Sequence, residues 1–158
     1  MTFTHIKNKK INMVDISKKN QNHRHAKAVG FLKFNSGTFE KVLKNDGPKG
    51  EIFNTARIAA IIAAKKTGDL IPLCHNINLN SVKIEFKNNP KNCSIEVYSD
   101  VKSNTQTGVE MEALTACSIA CLTIYDMCKS FDKKIIIEKI KLIYKDGGKS
   151  GKYKDDTI

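Results

Sequence analysis

Apolar and polar residues alternate in several stretches of the chain, which is the period of a β-strand with one buried face. Residues 24–35 alternate with one interruption near Gly30 and predict a strand. Residues 82–86 and 95–97 alternate on either side of an Asn-Asn-Pro turn, which predicts an antiparallel hairpin. A final strand is predicted over residues 135–144.

Other stretches carry apolar residues at helical spacing. Residues 38–43 predict a short helix, and the Asn-Asp-Gly-Pro sequence that follows predicts its end. Residues 51–66 predict a longer helix with an alanine-rich apolar stripe, an acidic start and a basic end. Residues 111–129 predict a second long helix.

The predicted order is strand, helix, helix, hairpin, helix, strand. This order indicates an α+β fold of the split βαβ type, in which helices cover one face of an antiparallel sheet. The length of 158 residues suits one domain. We expect a flexible basic arm over residues 1–12, a single domain over 13–146 and a Gly- and Lys-rich tail over 147–158.

Composition restricts the classes of function. The longest apolar run, 58–64, is far shorter than the roughly 20 residues of a membrane span, and the N-terminal residues are polar, so we expect a soluble cytoplasmic protein that does not bind a membrane. The net charge of +11 favours a polyanionic partner, either a nucleic acid or a phosphorylated small molecule. Aromatic residues make up only 7% and Trp is absent, so platforms for base stacking are scarce.

The five cysteines are odd in number and form no CxxC pair, which predicts reduced thiols. Cys117, Cys121 and Cys128 share one face of the second long helix. This spacing favours core packing over metal ligation.

Two local clusters combine charge with an unusual setting. Lys49 lies in a Gly-Pro-Lys-Gly turn directly before a predicted helix, where lysine and helix N-terminus could together hold a phosphate. A solvated turn lysine explains the same pattern. His75 ends the apolar loop 69–75, whose walls favour a neutral imidazole suited to proton transfer, although a core histidine is the simpler interpretation. Cys74 is adjacent to His75, which does not suit a zinc pair.

Two further clusters contain carboxylates. Glu110 and Glu112 share a face if the chain is extended there, but lie about 200° apart on a helix. Asp126 and Lys129 are three residues apart on one helical face, which suits either a weak surface ion pair or, if buried, a tunable acid and base.

The tail sequence GGKSG at 147–151 lacks the earlier glycine of a P-loop and the helix that must follow it. It could close over an anion through Lys149. Arg24 and Arg57 are the only arginines among many lysines, which favours a specific role for each in binding phosphate or carboxylate.

Six ordered blocks of this sequence together resemble the MoaC family of molybdenum cofactor biosynthesis. The blocks are residues 13–17, 49–59, 69–75, 107–115, 122–129 and 147–151, reading MVDIS, KGEIFNTARIA, DLIPLCH, TGVEMEALT, LTIYDMCK and GGKSG. The resemblance covers nearly all of the chain from residue 13 to residue 151.

The resemblance implies a ferredoxin-like subunit that assembles as a homohexamer, a trimer of dimers with active sites at the dimer interface. It also implies a lyase reaction in which 3′,8-cyclo-7,8-dihydro-GTP becomes cyclic pyranopterin monophosphate and pyrophosphate is released. The implied catalytic residues are Lys49, Asp126 and Lys129, joined by His75 and Glu112 as further acid and base groups. The implied substrate-binding residues are Leu73, Cys74, His75, Glu110, Met111, Glu112, Arg24 and Lys149.

No cofactor or metal site is required by the sequence, which leaves open whether magnesium accompanies the triphosphate. We expect a small-molecule substrate and no nucleic-acid partner. Two rivals remain: a basic RNA-binding module, which predicts steeply salt-dependent RNA binding, and a regulator that binds the nucleotide without releasing pyrophosphate.

Overall fold

A computed structural model of the chain describes residues 5–7, 9–45 and 51–155. Within these ranges the chain forms two sheets and a layer of helices. In chain order the elements are β1 (Ile6–Lys7), β2 (Lys10–Ile11), β3 (Asn22–Lys33), α1 (Ser36–Asn45), α2 (Glu51–Lys65), α3 (Thr67–Leu70), β4 (Ser81–Asn89), a 3-10 turn (Pro90–Asn92), β5 (Ser94–Thr105), α4 (Glu110–Cys128), β6 (Ile136–Asp146) and β7 (Tyr153–Lys154).

The main sheet has the strand order β4-β5-β3-β6-β7, and all neighbouring strands are antiparallel. Strands β3 and β4 run parallel to each other with β5 between them, which is the split βαβ arrangement. The predicted α+β, ferredoxin-like fold is therefore confirmed. β1 and β2 form a separate two-stranded sheet.

Strand β3 lies at the centre of this sheet, and its residues alternate because one face of the strand packs against α4. Its pairing with β6 shifts register between Lys27 and Ala28 and again between Val29 and Phe31, which explains the interruption in the sequence pattern. A Cβ at Gly30 would lie 2.9 Å from Cys121 Sγ, so the glycine allows α4 to approach the sheet closely.

Helices α2 and α4 pack against each other and against one face of the sheet. Cys117, Cys121 and Cys128 are completely buried on the inner face of α4, which confirms their predicted role in core packing. By length and composition α4 could cross a membrane, but half of its apolar stretch is buried inside the fold. It is therefore the central helix of the core.

Short strands escaped the sequence prediction. In the tail predicted from residue 147, Tyr153 pairs with Lys145 and Lys154 pairs with Tyr144, so β7 extends the sheet. Residues 6–7 and 10–11, in the predicted basic arm, form β1 and β2. Two-residue strands are too short to show a period, and backbone pairing alone defines them. The helix predicted over residues 38–43 is α1, Ser36–Asn45, and residues 46–48 of the predicted stop lie outside the described residues.

Candidate active site

A cavity of about 740 Å³ opens where the loop after β5 meets the loop after β6. Five of its lining side chains are cationic, and two, Glu110 and Asp146, are acidic. Such an excess of positive charge in a concave site favours an anion. The cationic lining residues are Lys18, Lys19, Arg24, Lys145 and Lys149.

Arg24 joins the two loops beneath this cavity. It is 7% exposed, and its Nε donates to the carbonyl oxygen of Thr105 at 3.2 Å. Its Nη2 donates to Gln106 O at 3.4 Å, and its Nη1 donates to Gly147 O. A guanidinium has five N–H donors, so about two remain for a ligand. Arg24 thus holds the loops in place, and its role towards phosphate stays a prediction.

A second cavity of about 360 Å³ adjoins the first. The two share Lys19, Thr107, Gly108 and Glu110 as lining residues. The remaining lining residues of the second cavity are His5, Val14, Leu73, Cys74, His75, Met111 and Glu112. One elongated ligand can therefore reach from the basic cavity to the histidine.

Helix α4 begins at Glu110, so both predicted acids, Glu110 and Glu112, lie in its first turn. Their surroundings nevertheless differ. Glu110 Oε1 is 3.3 Å from Lys145 Nζ and stays paired. Glu112 is 3% exposed, and its Oε2 has no hydrogen-bond partner among the described residues. Burial, with a smaller effect of the Glu110 charge, raises the pKa of Glu112 to about 7. Glu112 can therefore exchange a proton near neutral pH.

The loop residues 73–75 reach the second cavity through a turn. The backbone N–H of Cys74 donates to Ile71 O at 3.0 Å, and His75 follows directly. Burial, with the negative charge of Glu112, raises the pKa of the Cys74 thiol. Cys74 therefore stays a neutral thiol near neutral pH, which suits a contact residue better than a nucleophile.

Asp15 directly follows Val14, a lining residue of the second cavity. The pKa of Asp15 is lowered mainly by the hydrogen bond from the Ser17 backbone N–H, at 2.9 Å, and to a smaller extent by the charge of His75. Asp15 is therefore an anion beside the histidine side of the cavity.

Asp126 and Lys129 lie at the other end of α4. Their side chains are 66% and 56% exposed, and Lys129 Nζ is 2.5 Å from Asp126 Oδ1. The carboxylate raises the pKa of Lys129. At 1.5 Å per residue, Asp126 is about 24 Å along the helix axis from Glu110. Within one chain this pair does not contribute to either cavity.

The structure thus brings eight of the predicted site residues together. They are Arg24, Leu73, Cys74, His75, Glu110, Met111, Glu112 and Lys149. Asp126 and Lys129 are not brought to them. Lys49 lies outside the described residues.

The polar lining residues that sequence reasoning missed include Lys18, Lys19, Lys145 and Ser150. In a lysine-rich chain, residue type gave no signal for any of them. Their positions gave a signal for three of them, because Lys18 and Lys19 directly follow the MVDIS block and Ser150 lies within the GGKSG block.

The sequence is similar to those of known proteins. A sequence model of the MoaC family matches residues 13–148. The chain belongs to the MoaC family. The match to this family contains the residues of both cavities except His5, Lys149 and Ser150. A similar curated protein is the cyclic pyranopterin monophosphate synthase of Natranaerobius thermophilus, which is 46% identical over 155 residues, covering 98% of each chain.

Proposed function

We propose that this chain is a cyclic pyranopterin monophosphate synthase of molybdenum cofactor biosynthesis. It converts 3′,8-cyclo-7,8-dihydro-GTP to cyclic pyranopterin monophosphate and releases pyrophosphate. Membership of the family and the 46% identical synthase support this assignment. The observation that carries it is the pair of adjoining cavities, one basic and one lined by His75 and Glu112.

The basic cavity suits the triphosphate. Closing the cyclic phosphate forms a bond from a sugar hydroxyl to the α-phosphorus, breaks the bond from that phosphorus to pyrophosphate, and gives the hydroxyl proton to a base. Lys19, Lys145 and Lys149 can neutralise the charge that develops on the departing pyrophosphate. Among the described residues no group of three or more His, Cys, Asp or Glu side chains could hold a metal ion. We propose that magnesium, when used, arrives with the triphosphate.

The second cavity suits the base and the sugar. Rebuilding the rings moves protons on and off several atoms, so at least two acid or base groups are needed. His75 and Glu112 are candidates, and the pKa of about 7 lets Glu112 act in either direction near neutral pH. The neutral thiol of Cys74 and the side chains of Leu73 and Met111 complete the walls.

Asp126 and Lys129 enter this proposal through a second protomer. We propose a cytoplasmic homohexamer, a trimer of dimers, whose active sites each combine residues of two chains. The outward face of α4 supports such a dimer, since Met111, Ser118, Leu122 and Lys129 follow one another at intervals of seven, four and seven residues. A two-fold axis between Ser118 and Leu122 would lay Lys129 of one helix beside Met111 of the other.

The direct test incubates the purified protein with the cyclic nucleotide and measures pyrophosphate and the pterin product. Release of both supports the enzyme, and nucleotide binding without either product supports the regulator. Tight RNA binding that weakens steeply with salt, without turnover, would support the RNA-binding module. Lys49→Ala and Lys129→Ala should each lower turnover about 10²- to 10⁴-fold if these amines transfer protons in the slow step.

Mixed oligomers test the shared site. His75→Ala and Lys129→Ala chains are inactive separately under this proposal. After unfolding and refolding together in equal amounts, half of the dimers contain one chain of each kind, and one of the two sites in such a dimer is intact. Activity should then return to about a quarter of the wild-type value, as symmetry requires. Recovery of no activity would mean that the two residues do not act in one shared site.

A further inference from the structure

The GGKSG segment folds into a tight turn at the edge of the basic cavity. The backbone N–H of Gly151 donates to Gly148 O at 3.0 Å, so Lys149 and Ser150 form the tip of the turn. Gly147 and Gly151 flank it with φ values of 88° and 73°, which are left-handed conformations that favour glycine. The turn is therefore defined by its backbone, and its two polar side chains project from fixed positions.

Two cations of the cavity hold this turn. Arg24 donates to the carbonyl oxygen of Gly147, at the beginning of the turn. Lys145 Nζ donates to Ser150 Oγ at 2.5 Å, at its tip. The same ammonium is 3.3 Å from Glu110 Oε1, on the wall that the two cavities share.

The Lys145 ammonium is thus held from two directions before any ligand arrives. Its side chain is 23% exposed and lines the basic cavity, so one side of the ammonium still faces that space. A free lysine side chain loses rotational entropy when it is fixed on a ligand. Contacts that fix the ammonium in advance reduce that loss and strengthen anion binding.

We propose that Ser150 is a positioning residue, whose hydroxyl, together with Glu110, fixes the ammonium of Lys145 for capture of the substrate's phosphate chain. This inference rests on the proposed function, because it takes a di- or triphosphate as the ligand of the basic cavity. Ser150 acts through Lys145 and need not touch the reacting atoms. Its loss weakens binding of the phosphate chain and leaves the chemical step intact.

Binding of inorganic pyrophosphate, measured by calorimetry on the full-length oligomer, tests this inference without turnover. Ser150→Ala should weaken binding about three- to tenfold, the effect of one ordinary hydrogen bond, because the lost contact acts on the ligand only through Lys145. Ser150→Thr keeps a hydroxyl and should restore binding. Lys152→Ala is the matched control, since Lys152 is a cation of the same tail whose ammonium lies 5.4 Å from the Tyr144 ring and which does not line the basic cavity.

A double-mutant cycle separates positioning from a general structural role. Lys145→Ala alone should weaken pyrophosphate binding more than Ser150→Ala does. Adding Ser150→Ala to Lys145→Ala should change nothing further, because the residue through which Ser150 acts is gone. Effects that multiply in the double variant, a Lys145→Ala variant that binds like the wild type, or an unchanged Ser150→Ala variant would each overturn the inference.

Steady-state kinetics distinguishes failure of this inference from failure of the proposed function. With the cyclic nucleotide, Ser150→Ala should raise KM about three- to tenfold and change kcat less than twofold. A wild-type protein that binds pyrophosphate but does not turn over the nucleotide would refute the proposed function and leave the Ser150 result standing. A wild-type enzyme whose Ser150→Ala variant has an unchanged KM would refute only the role of Ser150.

Discussion

Replacing Glu112 by glutamine should remove a specific loss of stability at neutral and alkaline pH. In the folded chain this carboxyl is buried, Oε2 has no partner among the described residues, and its pKa is raised from 4.5 to about 7. In the unfolded chain the carboxyl of Glu112 is exposed to water, and its pKa stays near the ordinary value. Between the two values the folded protein holds a proton that the unfolded chain releases.

The sign of the effect follows from this difference. Below about pH 4.5 Glu112 is protonated in both the folded and the unfolded chain, so its ionisation does not lower the free energy of unfolding. As the pH rises through about 7, the free energy of unfolding falls, and above that it is constant with respect to this group. The difference between the two pKa values lowers the free energy of unfolding by about 3 kcal/mol, at 1.36 kcal/mol for each unit of pKa. A glutamine amide does not ionise, so Glu112→Gln abolishes this component.

Urea unfolding at about pH 5 and about pH 8, at one protein concentration, measures the change. Between these two pH values the free energy of unfolding of the wild type should fall by up to about 3 kcal/mol more than that of Glu112→Gln. Glu40→Gln makes the same chemical change at an exposed position on α1 and should keep the wild-type dependence. Equal pH dependence in the wild type and Glu112→Gln would mean that the carboxyl is solvated, and the reasoning from burial would be wrong.

Four further outcomes follow from local geometry. Gly147→Ala forces a side chain into φ 88° and puts its Cβ 1.8 Å from a backbone carbonyl oxygen, so it should cost about 1–3 kcal/mol or more by urea unfolding. Gly37→Ala, whose Cβ would have no neighbour closer than 3.7 Å, should be neutral or slightly stabilising in the same assay. Gly30→Ala should cost about 1–3 kcal/mol because it overpacks against α4. Cys74 should be alkylated slowly at neutral pH, and Glu112→Gln should accelerate that reaction, as followed by mass spectrometry, because it removes the charge that helps to raise the thiol pKa.

The sequence predicted β3, β5, α2 and α4 because each of these elements has one buried face. In β3, β5 and α4 the inward residues recur at the period of the element, so the core could be located without coordinates. The strands β1, β2 and β7 could not be predicted, since two residues carry no period and depend on pairing with a neighbour.

The site was predictable only in part, for a different reason. His75 and Glu112 lie in distinctive local sequence, whereas Lys145 is one strand lysine among many. Its place in the cavity comes from the meeting of β6, the start of α4 and the turn at Ser150, which are far apart in sequence. Contacts of that kind are set by topology and leave no mark on the residues nearby.

Helix α4 explains why one chain contains both halves of a proposed site without joining them. Its buried middle, at Cys117 and Cys121, packs on the sheet and keeps the helix rigid, so the separation between Glu112 and Lys129 is fixed. The exposed Asp126 contact raises the pKa of Lys129 and keeps its ammonium protonated. Proton acceptance by this lysine therefore requires new surroundings that desolvate it. A second protomer covering the end of α4 would supply them, which joins the oligomeric state and the chemistry of Lys129 in one hypothesis.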